Sequence, residues 1–183
     1  DGAKTTEDAV ALISRMRQLG INQFIPTPHV MNDFYPNTVE SIDKAYKLLL
    51  ESLDAETRSN TRIHPAAEYM LDIHFESLVK NNQVLALKGT YVLVELSYFQ
   101  PPINLETLIK DLKNNGYTPV LAHPERYAYY HNNPDYYNRL KGMGCLFQLN
   151  LMSLGMRYGK NVQMMALHLF NNGYIDFTGT DIH

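Results

Sequence analysis

The sequence predicts an α/β protein whose sheet is parallel and closed, or nearly closed, into a barrel. Helical segments and short apolar segments alternate along the chain, and repeated units of this kind form parallel sheets. The segments at 91–94 and 119–122 are apolar at consecutive positions, as expected for strands covered on both faces. No glycine-rich phosphate loop marks a doubly wound nucleotide-binding sheet. With 183 residues and 45% hydrophobic content, residues 1–183 are predicted to form one domain.

The first half of the chain begins with a predicted helix at 6–19. A capping signal at Thr5-Thr6-Glu7-Asp8 precedes this helix, and Gly20 follows it. The apolar strand at 21–25 runs into Pro26-Thr27-Pro28-His29, where proline is expected to end strand pairing and begin a loop. The remaining elements of this half are a helix at 37–57, a strand at 62–67, a helix at 72–81 and a strand at 91–96.

The second half repeats the same alternation. Its predicted elements are a helix at 104–115, a strand at 118–122, a helix at 134–142, a strand at 145–149, a helix at 160–171 and a strand at 174–178. The chain opens without an initiator methionine and stops directly after Gly-Thr-Asp-Ile-His. We therefore expect a first strand and C-terminal elements to be missing.

Composition argues against several classes of partner. The chain has 16 basic and 19 acidic residues without a basic cluster, so it carries no electrostatic footprint for nucleic acid or an anionic membrane. No apolar run approaches the roughly 20 residues needed to cross a bilayer, and no signal peptide is evident. The single cysteine, Cys145, is compatible with a reducing compartment. The sequence thus predicts a cytoplasmic protein without nucleic acid or membrane insertion.

Imidazole and carboxylate groups recur where the predicted strands end. These residues are His29, Glu68, Glu95, His123, Asp181 and His183. The C-terminal ends of barrel strands meet at one mouth, so these groups are expected to lie together. A mixed histidine and carboxylate set suits Mn²⁺, Fe or Zn²⁺, whereas Ca²⁺ and Mg²⁺ favour oxygen ligands alone. Glu95 ends an apolar run, where a cation would be the most economical partner for a buried charge.

The alternative interpretation of each single histidine is structural. A histidine at a strand end is more often a hydrogen-bonded loop residue, so the metal prediction depends on the joint occurrence of the set. His64 is predicted at a strand start and His74 and His168 within helices, where a structural role is expected. His131 follows the loop of His123 and could approach a substrate, but it is predicted to be an exposed loop residue.

Arg126 follows His123 closely in Ala-His-Pro-Glu-Arg-Tyr and is predicted at the rim of the same mouth. Its planar guanidinium matches phosphate oxygens with two hydrogen bonds. The alternative is an ion pair with Glu125 or Asp135. Because a metal cluster needs an adjacent group to orient an anionic substrate, we predict that Arg126 binds substrate and takes part in catalysis.

Short motifs in a fixed order extend this interpretation. They are Asp1-Gly2, Thr27-Pro28-His29, Ala67-Glu68, Val94-Glu95, Ala122-His123-Pro124-Glu125-Arg126-Tyr127 and Thr180-Asp181-Ile182-His183. Together they resemble the polymerase and histidinol phosphatase (PHP) family, and in particular its branch of manganese-dependent protein-tyrosine phosphatases from bacterial capsule synthesis. The resemblance covers essentially the whole chain. It implies a distorted (β/α)7 TIM-like barrel of PHP type with a three-metal Mn²⁺ centre.

The resemblance also assigns ligands by motif. Grouped by metal, they are Glu68, Glu95 and His123; Asp1, His29 and His183; and Glu68 as a bridge with Asp181. The family's His-x-His pair before the aspartate matched by Asp1, and its second phosphate-binding arginine beyond the final Asp-x-His, are absent from this sequence.

The function implied by the resemblance is metal-assisted hydrolysis of phosphotyrosine, with Asp181 as a further catalytic residue. The implied partner is the tyrosine-phosphorylated tail of a bacterial kinase that controls capsular or exopolysaccharide synthesis. A thiolate mechanism is excluded, because Cys145 lies in an apolar strand rather than a phosphate-cradling loop. Two alternatives remain: a phosphoesterase acting on a small monoester such as histidinol phosphate, and a non-catalytic regulatory module.

Overall fold

A computed structural model describes residues 2–182 as an α/β fold whose strand pairs are parallel, which confirms the predicted class. The helices are α1 (Thr6–Gln18), α2 (Val39–Ser52), α3 (Ala55–Asn60), α4 (Ile73–Lys80), α5 (Leu105–Asn114), α6 (Asp135–Gly142) and α7 (Lys160–Asn171). The strands are β1 (Gln23–Phe24), β2 (His29–Val30), β3 (Arg62–Ile63), β4 (Glu68–Met70), β5 (Tyr91–Glu95), β6 (Thr118–Ala122), β7 (Leu146–Asn150) and β8 (Phe177–Gly179). Short 3-10 helices lie at Pro124–Arg126, Ala128–Tyr130 and Leu151–Leu154.

Helix caps decide where the first helices begin and end. The Thr5 side chain accepts a hydrogen bond from the Asp8 N–H at 3.1 Å, as the capping signal predicts. The prediction of one helix at 37–57 was wrong, because Leu53 is extended and separates α2 from α3. Asp54 starts the new helix by accepting a hydrogen bond from the Thr57 N–H at 2.8 Å. A local aspartate cap thus competes with continuation of the longer helix.

The prolines between β1 and β2 interrupt the strand but do not end its pairing, so that prediction was also wrong. Proline lacks an N–H donor but keeps its carbonyl acceptor. Pro26 O accepts a hydrogen bond from Ala66 N at 2.9 Å, and Pro28 O accepts one from Glu68 N at 3.1 Å. Prolines are tolerated here because this strand lies at the edge of the described sheet. Consequently His29 and Glu68 lie within strands rather than in the loops after them.

The strands are ordered β2-β4-β5-β6-β7-β8, with β1 and β3 paired beside them. The order follows the chain without the reversal that defines a doubly wound sheet. Within residues 2–182 the outermost strands β2 and β8 do not pair with each other, so a closed barrel is not seen there. The last strand lies at Phe177–Gly179, later than the predicted 174–178.

Each strand places alternate residues on the two faces of the sheet. On β5, Val92 and Val94 belong to the main core under the helices, whereas Leu93 packs with Val120 and Ala122 on the other face. Glu95 lies two residues after Leu93 and therefore shares this second face. The Glu95 carboxylate therefore lies on this second face, at the carboxyl end of β5. No helix within residues 2–182 is long and apolar enough to cross a membrane.

Candidate metal centre

Strand register brings the predicted ligands to one end of the sheet. His29 on β2 pairs directly with Glu68 on β4, and Met70 on β4 pairs with Glu95 on β5. His123 follows directly after the last residue of β6. Because the strands are parallel and paired in this register, residues up to about one hundred positions apart become neighbours, although His29 and Glu68 begin their strands and do not follow them.

The distances define a compact cluster. One donor atom from each of His29, Glu68 and Glu95 lies within 4.8 Å of the other two, a spacing that allows them to hold one metal ion. His29 Nε2 is 3.4 Å from Glu95 Oε1. His123 Nε2 is 3.1 Å from Glu68 Oε1 and 3.9 Å from Glu95 Oε2. Both imidazoles thus face the same pair of carboxylates.

Three side chains of the cluster are buried, and two of their polar atoms have no hydrogen-bond partner in the described chain. Glu68, Glu95 and His123 are 4%, 2% and 4% exposed. Within the described chain, Glu95 Oε1 and His123 Nδ1 are buried without a hydrogen bond. A buried carboxylate oxygen without a donor is costly. A cation at this position would satisfy it, so the donor set fits a metal ion.

Two neighbouring carboxylates respond differently to this burial. Burial and the negative charge of Glu68 raise the pKa of Glu95 to about 7. Burial also acts to raise the pKa of Glu68, but the hydrogen bond to His123, together with electrostatic interactions with His123, His29 and Arg126, outweighs it and lowers the pKa. Without a metal, therefore, Glu95 is the carboxylate that resists ionisation.

Two of the predicted site residues have a left-handed backbone. His123 has φ 34° and Asp181 has φ 47°, in a region that non-glycine residues seldom occupy. The turn at His123 is fixed because its N–H donates to Gln148 O at 2.8 Å and its carbonyl accepts from Arg126 N at 2.9 Å. Backbone strain of this kind is often retained at functional sites.

Arg126 pairs with Asp181 and not with Glu125 or Asp135, the alternatives considered from the sequence. Its Nη1 donates to Asp181 Oδ2 at 2.9 Å. The guanidinium carbon lies 5.0 Å from the centre of the Tyr98 ring and 4.5 Å from that of Tyr158. Stacking between two rings restricts the arginine to the rim of the cluster.

A cavity of about 840 Å³ opens over this cluster. Its lining includes His29, Glu95, His123, Arg126, Asp181 and Tyr98. The Tyr98 ring stacks on the His123 imidazole with 5.8 Å between centroids. One cavity therefore joins the metal-competent groups, a cation that can bind phosphate, and an aromatic wall.

The other sequence predictions have mixed outcomes. Asp1 and His183 lie outside the described residues. His64, His74 and His168 are exposed, and the latter two lie on α4 and α7 as predicted. His131 is only partly exposed because its Nε2 hydrogen-bonds to the Glu125 carbonyl at 2.8 Å, so its prediction as an exposed residue was wrong.

Cys145 is 1% exposed, and burial raises the pKa of its thiol to about 12. It therefore cannot serve as a thiolate nucleophile near neutral pH.

Sequence reasoning missed Asn150 and Tyr98. Asn150 donates through Nδ2 to Asp181 Oδ2 at 2.7 Å. It directly follows the predicted strand at 145–149, so the strand-end rule that found the histidines would have found it too. Tyr98 lies in the loop after Glu95, and nothing in the local sequence distinguishes it from the other 12 of the 13 tyrosines.

The pKa of Glu95 gives a testable prediction for the metal-free protein. Between its unfolded value near 4.5 and its folded value near 7, the folded state holds a proton that the unfolded state has lost. Stability should therefore fall as pH rises through this window, by up to about 3.5 kcal/mol at about 1.4 kcal/mol per pKa unit.

Glu95→Gln removes this ionisation, so it should raise the thermal midpoint of the metal-free protein at pH 8 and change it little near pH 4. Thermal unfolding of both proteins with chelator across this range measures the effect. Parallel midpoint curves for the two proteins would contradict the assignment to Glu95.

The chain is similar in sequence to a protein family and to several bacterial phosphatases. The family model described as "Capsular polysaccharide synthesis, CpsB/CapC" matches residues 1–183. The chain is 30% identical over 184 residues to tyrosine-protein phosphatase YwqE of Bacillus subtilis, covering 100% of this chain and 72% of that relative. It is 26% identical over 190 residues to tyrosine-protein phosphatase CpsB of Streptococcus pneumoniae, covering 100% of this chain and 77% of the relative.

A solved structure shares the fold. It comes from work describing YwqE from Bacillus subtilis and CpsB from Streptococcus pneumoniae as unique metal-dependent tyrosine phosphatases. It superposes with a TM-score of 0.90 at 29% identity, covering 100% of this chain and 74% of that one. The fold likeness is therefore supported by sequence identity along the whole chain.

Proposed function

The chain belongs to the CpsB/CapC family of capsular polysaccharide synthesis, and from this premise we propose that it is a metal-dependent protein-tyrosine phosphatase. The observation that carries the proposal is the metal-competent group of His29, Glu68 and Glu95, whose His29 and Glu95 line the same cavity as Arg126. The relatives named as tyrosine-protein phosphatases, and the solved structure described as metal-dependent, support the same reaction. The chain is thus a phosphoric monoester hydrolase in this proposal.

The proposed metal is Mn²⁺ in a three-metal centre, with Fe and Zn²⁺ also suited to the mixed donor set. The proposed ligands are Asp1, His29, Glu68, Glu95, His123, Asp181 and His183. When bound, the metal supplies Lewis acidity towards phosphoryl oxygens and activates water. The chain's own contribution is a buried and preorganised set of donors, with Glu95 Oε1 in place to accept a cation.

Arg126 is proposed to bind the phosphoryl group of the substrate. It is only partly exposed, and its guanidinium is held by Tyr98 and Tyr158. Its present partner is the Asp181 carboxylate, whose two oxygens resemble those of a phosphate in size and charge. A phosphate entering the cavity can therefore occupy the same guanidinium edge, while the Tyr98 ring offers a face to the phenol of phosphotyrosine.

The proposal extends to features that lie further from the site. In this proposal residues 1–183 form one domain, and the sheet belongs to a distorted (β/α)7 barrel. Both features are supported by the order of the strands in the main sheet, which is the same as their order along the chain. The partner is a phosphotyrosine protein, namely the tail of a bacterial tyrosine kinase in capsule or exopolysaccharide synthesis, and the location is the cytoplasm. The family's capsular role supports this choice of partner.

Side-by-side turnover of a phosphotyrosine peptide and histidinol phosphate tests the substrate class. We expect a higher kcat/KM for the peptide, because the cavity is about 840 Å³ in volume and has an aromatic wall. A higher kcat/KM for histidinol phosphate would assign the chain to small phosphate monoesters instead.

Removal of metal tests the reaction class. Dialysis against a chelator should abolish phosphotyrosine hydrolysis, and added Mn²⁺ should restore it, because in this proposal the metal activates the attacking water. A thiol-alkylating reagent is the matched control and should leave activity unchanged, since Cys145 is buried. Full activity in chelator would overturn the proposal, and metal binding without any turnover would favour a regulatory module.

A further inference from the structure

Asn150 is a buried polar residue beside the candidate metal centre. It ends β7, is 2% exposed, and pairs in the sheet with Gly179, two residues before Asp181. Its backbone N–H donates to Glu125 Oε1 at 3.1 Å, and that glutamate is fully buried. The end of β7 is therefore fixed to the loop that also carries His123 and Arg126.

The contacts of Asn150 determine the orientation of its side-chain amide. The Met152 N–H donates to one side-chain atom at 2.9 Å, and a backbone N–H can only donate. That atom must be the carbonyl oxygen Oδ1, so the amide nitrogen Nδ2 points the other way. Nδ2 lies 2.7 Å from Asp181 Oδ2 and donates to it.

Asp181 Oδ2 therefore accepts from two donors of different kinds. Arg126 supplies a charged donor at 2.9 Å, and Asn150 supplies a neutral one at 2.7 Å. If Arg126 turns to a phosphate, it must weaken its bond to Asp181. The hydrogen bond from the Asn150 amide to Asp181 can remain, because the amide is uncharged and would not repel a metal ion bound to the carboxylate. It also restrains a residue whose backbone has an unfavourable left-handed φ.

We infer that Asn150 is a positioning residue that holds the Asp181 carboxylate in place for metal binding. This inference rests on the proposed function, in which Asp181 is a ligand. Groups that hydrogen-bond to metal ligands orient them, and their removal typically lowers metal affinity by roughly 10- to 100-fold. Asn150 thus acts through Asp181 and need not touch the substrate.

The test separates this role from the local cap on Met152. Asn150→Ser shortens the side chain, so it loses Asp181 but can still accept from the Met152 N–H, since serine is a good cap. Asn150→Ala loses both of these contacts, and both variants lose the longer 3.4 Å hydrogen bond from Asn150 Nδ2 to the Tyr158 hydroxyl. Asn115→Ser makes the same change at an exposed helix end, where Asn115 only donates to the Asp111 carbonyl. Mn²⁺ affinity is measured from the loss of the free-ion electron paramagnetic resonance signal, and thermal unfolding is measured alongside.

We expect Mn²⁺ affinity to fall about 10- to 100-fold in both Asn150 variants and to stay unchanged in Asn115→Ser. Asn150→Ala, which also removes the cap on Met152, should lose more thermal stability than Asn150→Ser. Parental Mn²⁺ affinity in a folded Asn150→Ser protein would overturn the inference while leaving the phosphatase proposal intact.

The unaltered protein provides the separate check on function. If it binds Mn²⁺ but does not hydrolyse phosphotyrosine, the proposed function fails and the effect of Asn150 on Mn²⁺ affinity can still be read. If the unaltered protein does not bind Mn²⁺, both the inference and the proposed function are overturned.

Discussion

Replacing His123 by asparagine or alanine is expected to abolish phosphotyrosine hydrolysis while the fold is retained. The imidazole Nε2 faces Glu68 Oε1 at 3.1 Å and Glu95 Oε2 at 3.9 Å, so it is central to the cluster. If His123 is a direct ligand, as we propose, its loss should reduce activity by more than about 100-fold, since even residues that only support ligands commonly account for about 10- to 100-fold in activity. Initial rates on a phosphotyrosine peptide in Mn²⁺-supplemented buffer measure the effect.

Comparison of His123→Asn with His123→Ala separates the loss of the imidazole from the effect of backbone strain at this position. His123 has φ 34°, and asparagine adopts this left-handed conformation more readily than alanine does. Equal losses of activity in both variants would therefore come from the missing imidazole. His168→Asn, on the exposed face of α7, is the control and should keep full activity. Parental activity of His123→Asn in Mn²⁺-supplemented buffer would refute the role of His123 as a ligand.

Replacing Arg126 by lysine should lower kcat/KM for phosphotyrosine by roughly 10²- to 10³-fold, the usual effect of removing one preorganised donor to a developing charge. Lysine keeps the positive charge but loses the planar pair of donors and the stacking between Tyr98 and Tyr158. Mn²⁺ affinity should remain close to that of the parent, because Arg126 does not contact the metal in our proposal. Steady-state kinetics measure the change in kcat/KM, and Mn²⁺ titration measures the metal affinity.

Arg139→Lys is the matched control for this variant. Arg139 pairs with Glu106 at 2.6 Å, but its side chain is exposed and lies on α6. Exposed ion pairs contribute about 0–1 kcal/mol, so this change should leave both stability and activity near the parental values. If Arg126→Lys also retained parental kcat/KM, the guanidinium would have only the structural role of pairing with Asp181.

Much of the fold could be predicted because its signals are local. The cap at Thr5, the apolar runs of β5 and β6 and the alternation of strands with helices all lie within a few residues. The errors occurred where two local signals compete. Asp54 caps a second helix inside a segment that also reads as one long helix, and Pro28 keeps a sheet contact through its carbonyl.

The sequence by itself determined which chemical groups lie near the strand ends, because each apolar run marks a strand and the residues that follow it can be identified directly in the chain. His29, Glu68, Glu95 and His123 could therefore be named together in advance, although their role as ligands and their division among metals stay predictions.

Only the tertiary structure decided the contacts of Asp181. Arg126 lies 55 positions before it and Asn150 lies 31 positions before it, yet both donate to the same oxygen atom. Such contacts depend on strand register and loop conformation. These arise from packing across the whole sheet and produce no periodic pattern in the sequence. The sequence named the candidate ligands, whereas tertiary packing decided which side chains contact them.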